Sequence, residues 1–140
     1  MILALLCLGV AVLLWLRFRV AVVTVRGDSM APTLRPGDRV TVRRTPLRAI
    51  APGALVVFAR PRADERGWMI KRVIAVPGDV IPRGVVAALW SYPGTHVPAH
   101  RLVVLGDNRE ESYDSRHFGY VKEDALLGVV HRISRGVSRR

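Results

Sequence analysis

From Val20 onward the chain is broken again and again by glycine and proline, with 12 and 9 of them in 140 residues. The apolar runs between the breaks are short and rich in β-branched residues. Val20–Arg26 is one; Arg39–Arg43 alternates basic and apolar residues as RVTVR; Leu55–Phe58 follows Pro52-Gly53. Met69–Val76 is the longest strand candidate and stops at Pro77-Gly78-Asp79. Arg101–Leu105 leads into Gly106-Asp107-Asn108, and Leu126–Ile133 closes the series. Long helices do not fit between such breaks. Many short strands with turn signals between them predict a mostly β, compact, barrel-like antiparallel domain over residues 20–134. Glu123-Asp124-Ala125 is expected to form a single helical turn. Residues 135–140 read as a loose basic tail with little to bury.

The N-terminus is different. Ile2–Leu16, ILALLCLGVAVLLWL, is apolar and uncharged. As a helix it is roughly 22 Å long at about 1.5 Å per residue, short of a hydrocarbon core of about 30 Å. A cleaved signal peptide would need a basic start and small residues at its end, and neither is present. The expectation is a single transmembrane anchor over residues 1–19, with Trp15, Arg17, Phe18 and Arg19 at the interface. Arg17 and Arg19 would hold the C-terminal flank in the cytoplasm by the positive-inside rule.

The chain holds 22 basic and 11 acidic residues, a formal charge of +11. Such a balance favours an anionic neighbour, either nucleic acid or lipid headgroups. Only Lys71 and Lys122 among the basic residues are lysines. Arginine does not lose its proton in a protein, so any lysine-dependent base must be one of these two. The lone Cys7 excludes an intrachain disulfide and reads as a small hydrophobe. His96, His100, His117 and His131 have no metal-ligand spacing, so no metal or cofactor is expected.

Three polar segments carry the chemistry: Gly27–Val40 (GDSMAPTLRPGDRV), Met69–Asp79 (MIKRVIAVPGD) and Val104–Val121 (VLGDNREESYDSRHFGYV). Ser29 falls between a strand and a proline-held turn, where its hydroxyl is exposed and its own N–H is available as an oxyanion donor. Alone, it is an ordinary turn serine. A serine nucleophile needs a base within hydrogen-bond reach, and no Ser-His-Asp pattern is evident. Lys71 shares a strand face with Met69, Val73 and Ala75. Burial there would disfavour its ammonium and make it a usable base. In the third segment Asp114 can pair with Arg116, or with Arg72.

Together and in this order, the segments resemble the motifs of type I signal peptidases. The nucleophile motif corresponds to Gly27–Leu34 with Gly37-Asp38, and a short strand motif to Gly53–Phe58. The base motif corresponds to Lys71–Ile74 with Pro77–Asp79, and the last motif to Gly106–Gly119. The resemblance implies Ser29 as nucleophile and Lys71 as general base, with Ser112 orienting the lysine. It places Gly27 and Met30 in the substrate cleft and oxyanion region, and Arg72, Asp114 and Arg116 in a structural ionic cluster. Some relatives carry a serine where this chain has Gly27, which leaves the second oxyanion donor open. Val80–Arg101 is too short for the large accessory β-domain of other relatives.

The implied activity is a membrane-bound serine endopeptidase. It would remove signal peptides from exported precursors through an acyl-enzyme, cutting after small residues, with precursor proteins and membrane lipid as partners. Its catalytic domain would lie on the extracytoplasmic side of the cell membrane, which conflicts with the placement that Arg17 and Arg19 favour. An alternative is a maturation peptidase dedicated to one precursor, with the same two residues. A self-cleaving serine/lysine protease of the phage-repressor type would need a DNA-binding helix pair that is missing. A basic β-domain binding nucleic acid accounts for the charge but not for the apolar N-terminus. With aromatics at 6% and no stacking cluster, nucleic acid is not an expected partner.

Overall fold

This computed structural model describes residues 1–61 and 66–136, the side chains of residues 13–18 apart. The strands form where β-branched runs meet Gly- and Pro-containing turns: β1 (Val20–Thr24), β2 (Arg39–Arg43), β3 (Leu55–Ala59), β4 (Trp68–Ala75), β5 (Arg101–Leu105), β6 (Val121–Lys122) and β7 (Leu126–Ser134). They pair antiparallel throughout, in the order β1-β2-β7-β3-β4-β5-β6. The sheet curls without closing, so the barrel-like expectation becomes an open sheet with edges at β1 and β6. β6 is only two residues long, too short to stand out in the sequence.

The central strands are covered on both faces, which is why β3 reads LVVFA with no polar position. Val56 and Phe58 join one cluster with Met69, Val73, Leu102 and Val104. Val57 joins the other, with Val25, Met30, Leu34, Val40, Val42 and Ile70. A third cluster, built on Ile81, Val86, Leu89, Val97 and Leu105, fills the turn-rich segment after β4. Burying a side chain such as Phe58 or Leu34 contributes about 1.5–3 kcal/mol.

The first half of β4 is paired on one side only. Its pairing with β3 runs from Trp68 to Arg72, but its pairing with β5 starts only at Arg72. Trp68–Lys71 therefore present one unpaired side, and β1 is an edge strand with an unpaired side of its own.

Two expectations are corrected. The N-terminal helix forms as α1 (Ile2–Arg19), but no helix among the described residues is long and apolar enough to cross a membrane. At 18 residues it measures about 27 Å, and it includes two arginines near its end. The interface expected at Trp15, Arg17 and Phe18 lies outside the described side chains. Nor is the tail loose at its start. Arg135 and Gly136 bind Asp38 in the turn before β2. That carboxylate is buried and needs donors. Residues 137–140 lie outside the described part. The expected helical turn at Glu123–Ala125 is present as a 3-10 turn.

Candidate active site

The loop from Gly27 to Asp38 is closed at its base by two backbone bonds. Val25 N–H donates to Asp38 O (2.8 Å) and Gly37 N–H to Val25 O (3.0 Å). Met30 and Leu34 anchor its apolar side in the core, at 2% and 0% exposure. Ser29 is thereby lifted to the rim, half-buried, with its carbonyl accepting from Asn108 N–H (3.0 Å). Among the described residues its own N–H has no hydrogen-bond partner.

Lys71 comes to this loop from the half-unpaired stretch of β4. Its Nζ lies 2.6 Å from Ser29 Oγ, and that hydroxyl is its one hydrogen-bond partner among the described residues. The side chain is buried, at 3% exposure. Burial pushes the ammonium down to about 8 from 10.5. The negative charges of Asp114 and Asp107 oppose that shift, and the Arg60 guanidinium assists it.

Asp114 is the hub beneath the pair. It is fully buried and caps α2 (Ser115–Phe118), accepting from Arg116 N–H at 3.1 Å. It also accepts from Gly106 N–H (2.9 Å), Ser112 Oγ–H (2.7 Å) and the Arg116 guanidinium (2.9 and 3.0 Å). Burial alone would raise this carboxyl. Arg116, Gly106 and Ser112 outweigh it and hold the carboxyl below the ordinary value. Ser112, which the resemblance implies orients the lysine, donates to Asp114, and among the described residues no hydrogen bond joins it to Lys71.

The ionic cluster is two clusters. Arg116 pairs with Asp114, while Arg72 pairs with Asp107 through Nε (2.8 Å) and Nη2 (2.6 Å). Arg72 also donates to Gly53 O (2.8 Å), and Thr33 Oγ–H donates to Asp107 Oδ2 (2.6 Å). The guanidinium beside it, with Thr33, holds Asp107 below the usual carboxylate range. Asp107 therefore joins the strand of the lysine to the loop of the serine. In the sequence Asp107 is only one member of a polar segment; its bridge to Thr33 spans 74 positions and leaves no local signal.

Gly106 is a second residue the sequence does not single out. A Cβ there would come within 2.1 Å of Ser112 Oγ and 2.6 Å of Ser29 O. His117, which the sequence gives no role, accepts the Asp114 N–H at Nδ1 (3.3 Å), completing the cap, and its ring stacks on Tyr113.

Beside the pair runs a cleft of about 530 Å³. One wall is β1 with Val25 and Arg26; the other is Arg66 to Lys71 with Arg60; Ser29, Met30, Glu111 and Tyr113 also line it. Met30 thus serves both core and cleft. Gly27, at φ +73, turns the chain into the loop and lies outside the lining. Among the described residues no group of His, Cys, Asp and Glu could hold a metal ion.

A hydroxyl against a buried lysine at the end of an unpaired cleft suits acyl transfer from a peptide. The sequence model of "Signal peptidase, peptidase S26" matches residues 1–87 and 83–134. The chain belongs to this signal peptidase family. Among curated relatives, a probable signal peptidase I-2 of Synechocystis sp. is 33% identical over 143 residues, covering 84% of this chain and 66% of the relative. Signal peptidase IB of Staphylococcus aureus is 31% identical over 150 residues, covering 81% and 77%. The chain thus spans about two thirds of the length of the first relative. A solved signal peptidase I from Enterococcus faecalis V583 overlaps 59% of this chain and 97% of its own, at TM-score 0.44 and 24% identity. That likeness is weaker than the sequence match to the family and adds nothing to it.

Proposed function

We propose that this member of the signal peptidase family is a serine endopeptidase that removes signal peptides from exported precursors, with Ser29 as nucleophile and Lys71 as base. The observation that carries the reading is the 2.6 Å contact between Lys71 Nζ and Ser29 Oγ in the lining of the cleft. Neutral Lys71 takes the hydroxyl proton as Ser29 Oγ bonds to the scissile carbonyl carbon. The carbonyl oxygen becomes an oxyanion opposite the Ser29 N–H. Lys71 returns the proton to the departing amine as the C–N bond breaks, leaving an acyl-serine. Water then attacks the ester as Lys71 accepts its proton, and Lys71 returns that proton to Ser29 Oγ as the C–O bond breaks and the acid product leaves.

The unpaired sides of β1 and of Trp68–Lys71 face the same cleft, which suits an extended peptide added as a strand between them. Met30 and Val25, which line the cleft, are bulky and apolar, which favours small side chains before the cut. Asp114, Arg116, Ser112, Asp107 and Arg72 hold the two catalytic side chains in place. The exposed apolar helix α1 and the arginine-rich surface favour lipid as the second partner.

Purified chain in detergent is expected to cut a secretory precursor bearing an Ala-x-Ala site, and product masses locate the cut. Ser29→Ala and Lys71→Arg should each abolish it, because arginine keeps the charge but accepts no proton. Robust cleavage by Lys71→Arg would remove the lysine from its role.

A further inference from the structure

Arg135 and Gly136, just after β7, reach the loop that carries Ser29. Arg135 Nη1 donates to two acceptors at once, Asp38 Oδ2 (2.8 Å) and Thr33 O (3.0 Å). The next residue, Gly136, donates its N–H to Asp38 Oδ1 (3.0 Å). Asp38 Oδ2 also takes the Arg35 N–H (3.0 Å), so a single buried carboxylate gathers the loop's last turn and the segment after β7. Gly136 is required by its closeness: a Cβ would lie 2.5 Å from Gly37 O and 2.7 Å from Gly37 C. The approach is therefore between two backbones, and it leaves the loop little room to shift.

From Thr33 the connection runs directly to the reacting pair. The same residue whose carbonyl is held by Arg135 donates its hydroxyl to Asp107, and Asp107 is bound by Arg72, the neighbour of Lys71. On the far side Ser29 O is held by Asn108 N–H. The loop is gripped from the base motif's side through Asp107 and Asn108. Arg135 and Gly136 grip it at Thr33 and Asp38.

Resting on the serine peptidase reading, we propose that Arg135 and Gly136 are positioning residues for the reaction: they clamp the Gly27–Asp38 loop so that Ser29 Oγ stays in contact with Lys71. Neither touches substrate. Displacing a reacting atom by about 1 Å can cost about 100-fold in rate, so a loosened loop slows acylation. Both Arg135 bonds leave from one nitrogen, so a lysine, with three donors on its Nζ, can restore them; glutamine, neutral and shorter, cannot.

The test uses the full chain with Arg135→Gln, Arg135→Lys and Gly136→Ala. A serine-directed acylating probe reads both the fraction of Ser29 labelled and the rate of labelling. Hydrogen exchange reads the backbone. Arg135→Gln and Gly136→Ala should label to full stoichiometry at least tenfold more slowly than wild type, and Arg135→Lys should recover most of the rate. Amides within residues 26–38 should exchange faster, with β3 to β5 unchanged. A wild-type labelling rate in Arg135→Gln, or slow labelling explained wholly by a reduced labelled fraction, overturns the proposal. So does unchanged exchange over residues 26–38, whatever the activity. If wild type itself fails to label while Ser29 is intact, it is the peptidase reading that falls; the exchange result still decides the clamp.

Discussion

On the proposed mechanism, one side chain, Lys71, links catalysis to stability. Below a pKa of about 8 it is an ammonium and cannot take the Ser29 proton. The rate constant kcat/KM should therefore climb about tenfold per pH unit up to pH 8 and level off above it. A pH profile on a precursor peptide checks this, and a flat profile from pH 6 to 9 would contradict it. The stability sign runs the same way. Between about 8 and 10.5 the unfolded chain still holds the lysine proton while the folded chain has released it, so stability rises with pH across that window. Below it the folded state bears the whole cost, about 3 kcal/mol at about 1.4 kcal/mol per unit. Lys71→Met should thus abolish cleavage yet stabilise the protein at pH 7 by about 1–3 kcal/mol. Urea unfolding at pH 7 and again above pH 10.5 separates charge from packing. A gain that persists unchanged at the higher pH would mean the buried ammonium is not its source.

At the level of elements, the site is a junction of three: the loop before β2, the unpaired half of β4, and the turn after β5. Gly106 is where the first and the third meet. Gly106→Ala would press a methyl group against Ser112 Oγ and the Ser29 carbonyl. The expected result is a loss of about 1–3 kcal/mol in stability and of nearly all acylation, read by thermal unfolding and labelling of Ser29. Unaltered acylation would mean that the turn yields more easily than its backbone contacts imply. The strands themselves are legible because each lies between turn residues: Arg39–Arg43 and Arg101–Leu105 are read from pattern alone with the bounds they have in the fold. β6 is not, because its two residues take their place from β5 and not from any run of their own. The site divides likewise. Ser29 and Lys71 stand in local motifs, and the resemblance brings them together across 42 positions. Nothing local distinguishes the Asp107–Thr33 bond, nor sends Arg72 to Asp107 in place of Asp114. Such pairings depend on which loop the curled sheet brings opposite.

At the scale of the whole molecule, the unusual surface is α1. Every residue from Met1 to Val12 is exposed, with Ile2 at 82% and Leu3 at 74%. An apolar helix exposed along residues 1–12 has no stable resting place in water. On the proposed reading lipid supplies the missing cover. The formal charge of +11 adds a second, separate attraction to anionic headgroups. The two are separable by salt, because exposed charges are screened over about 3 Å at 1 M and apolar burial is not weakened. In flotation with vesicles the full chain should bind neutral and anionic lipid alike and remain bound at 1 M salt. A chain lacking residues 2–18 should bind anionic vesicles only, and release from them as salt is raised. Were the shortened chain to float with neutral vesicles, the apolar contact would have to come from the domain itself, where exposed Val20, Val22 and Trp68 lie at and beside the cleft. Were the full chain to stay behind when neutral vesicles float, α1 would need a protein partner instead of lipid. The first outcome alone sets the cleft beside the surface in which an exported precursor's apolar segment lies, and so lets one helix serve both attachment and encounter.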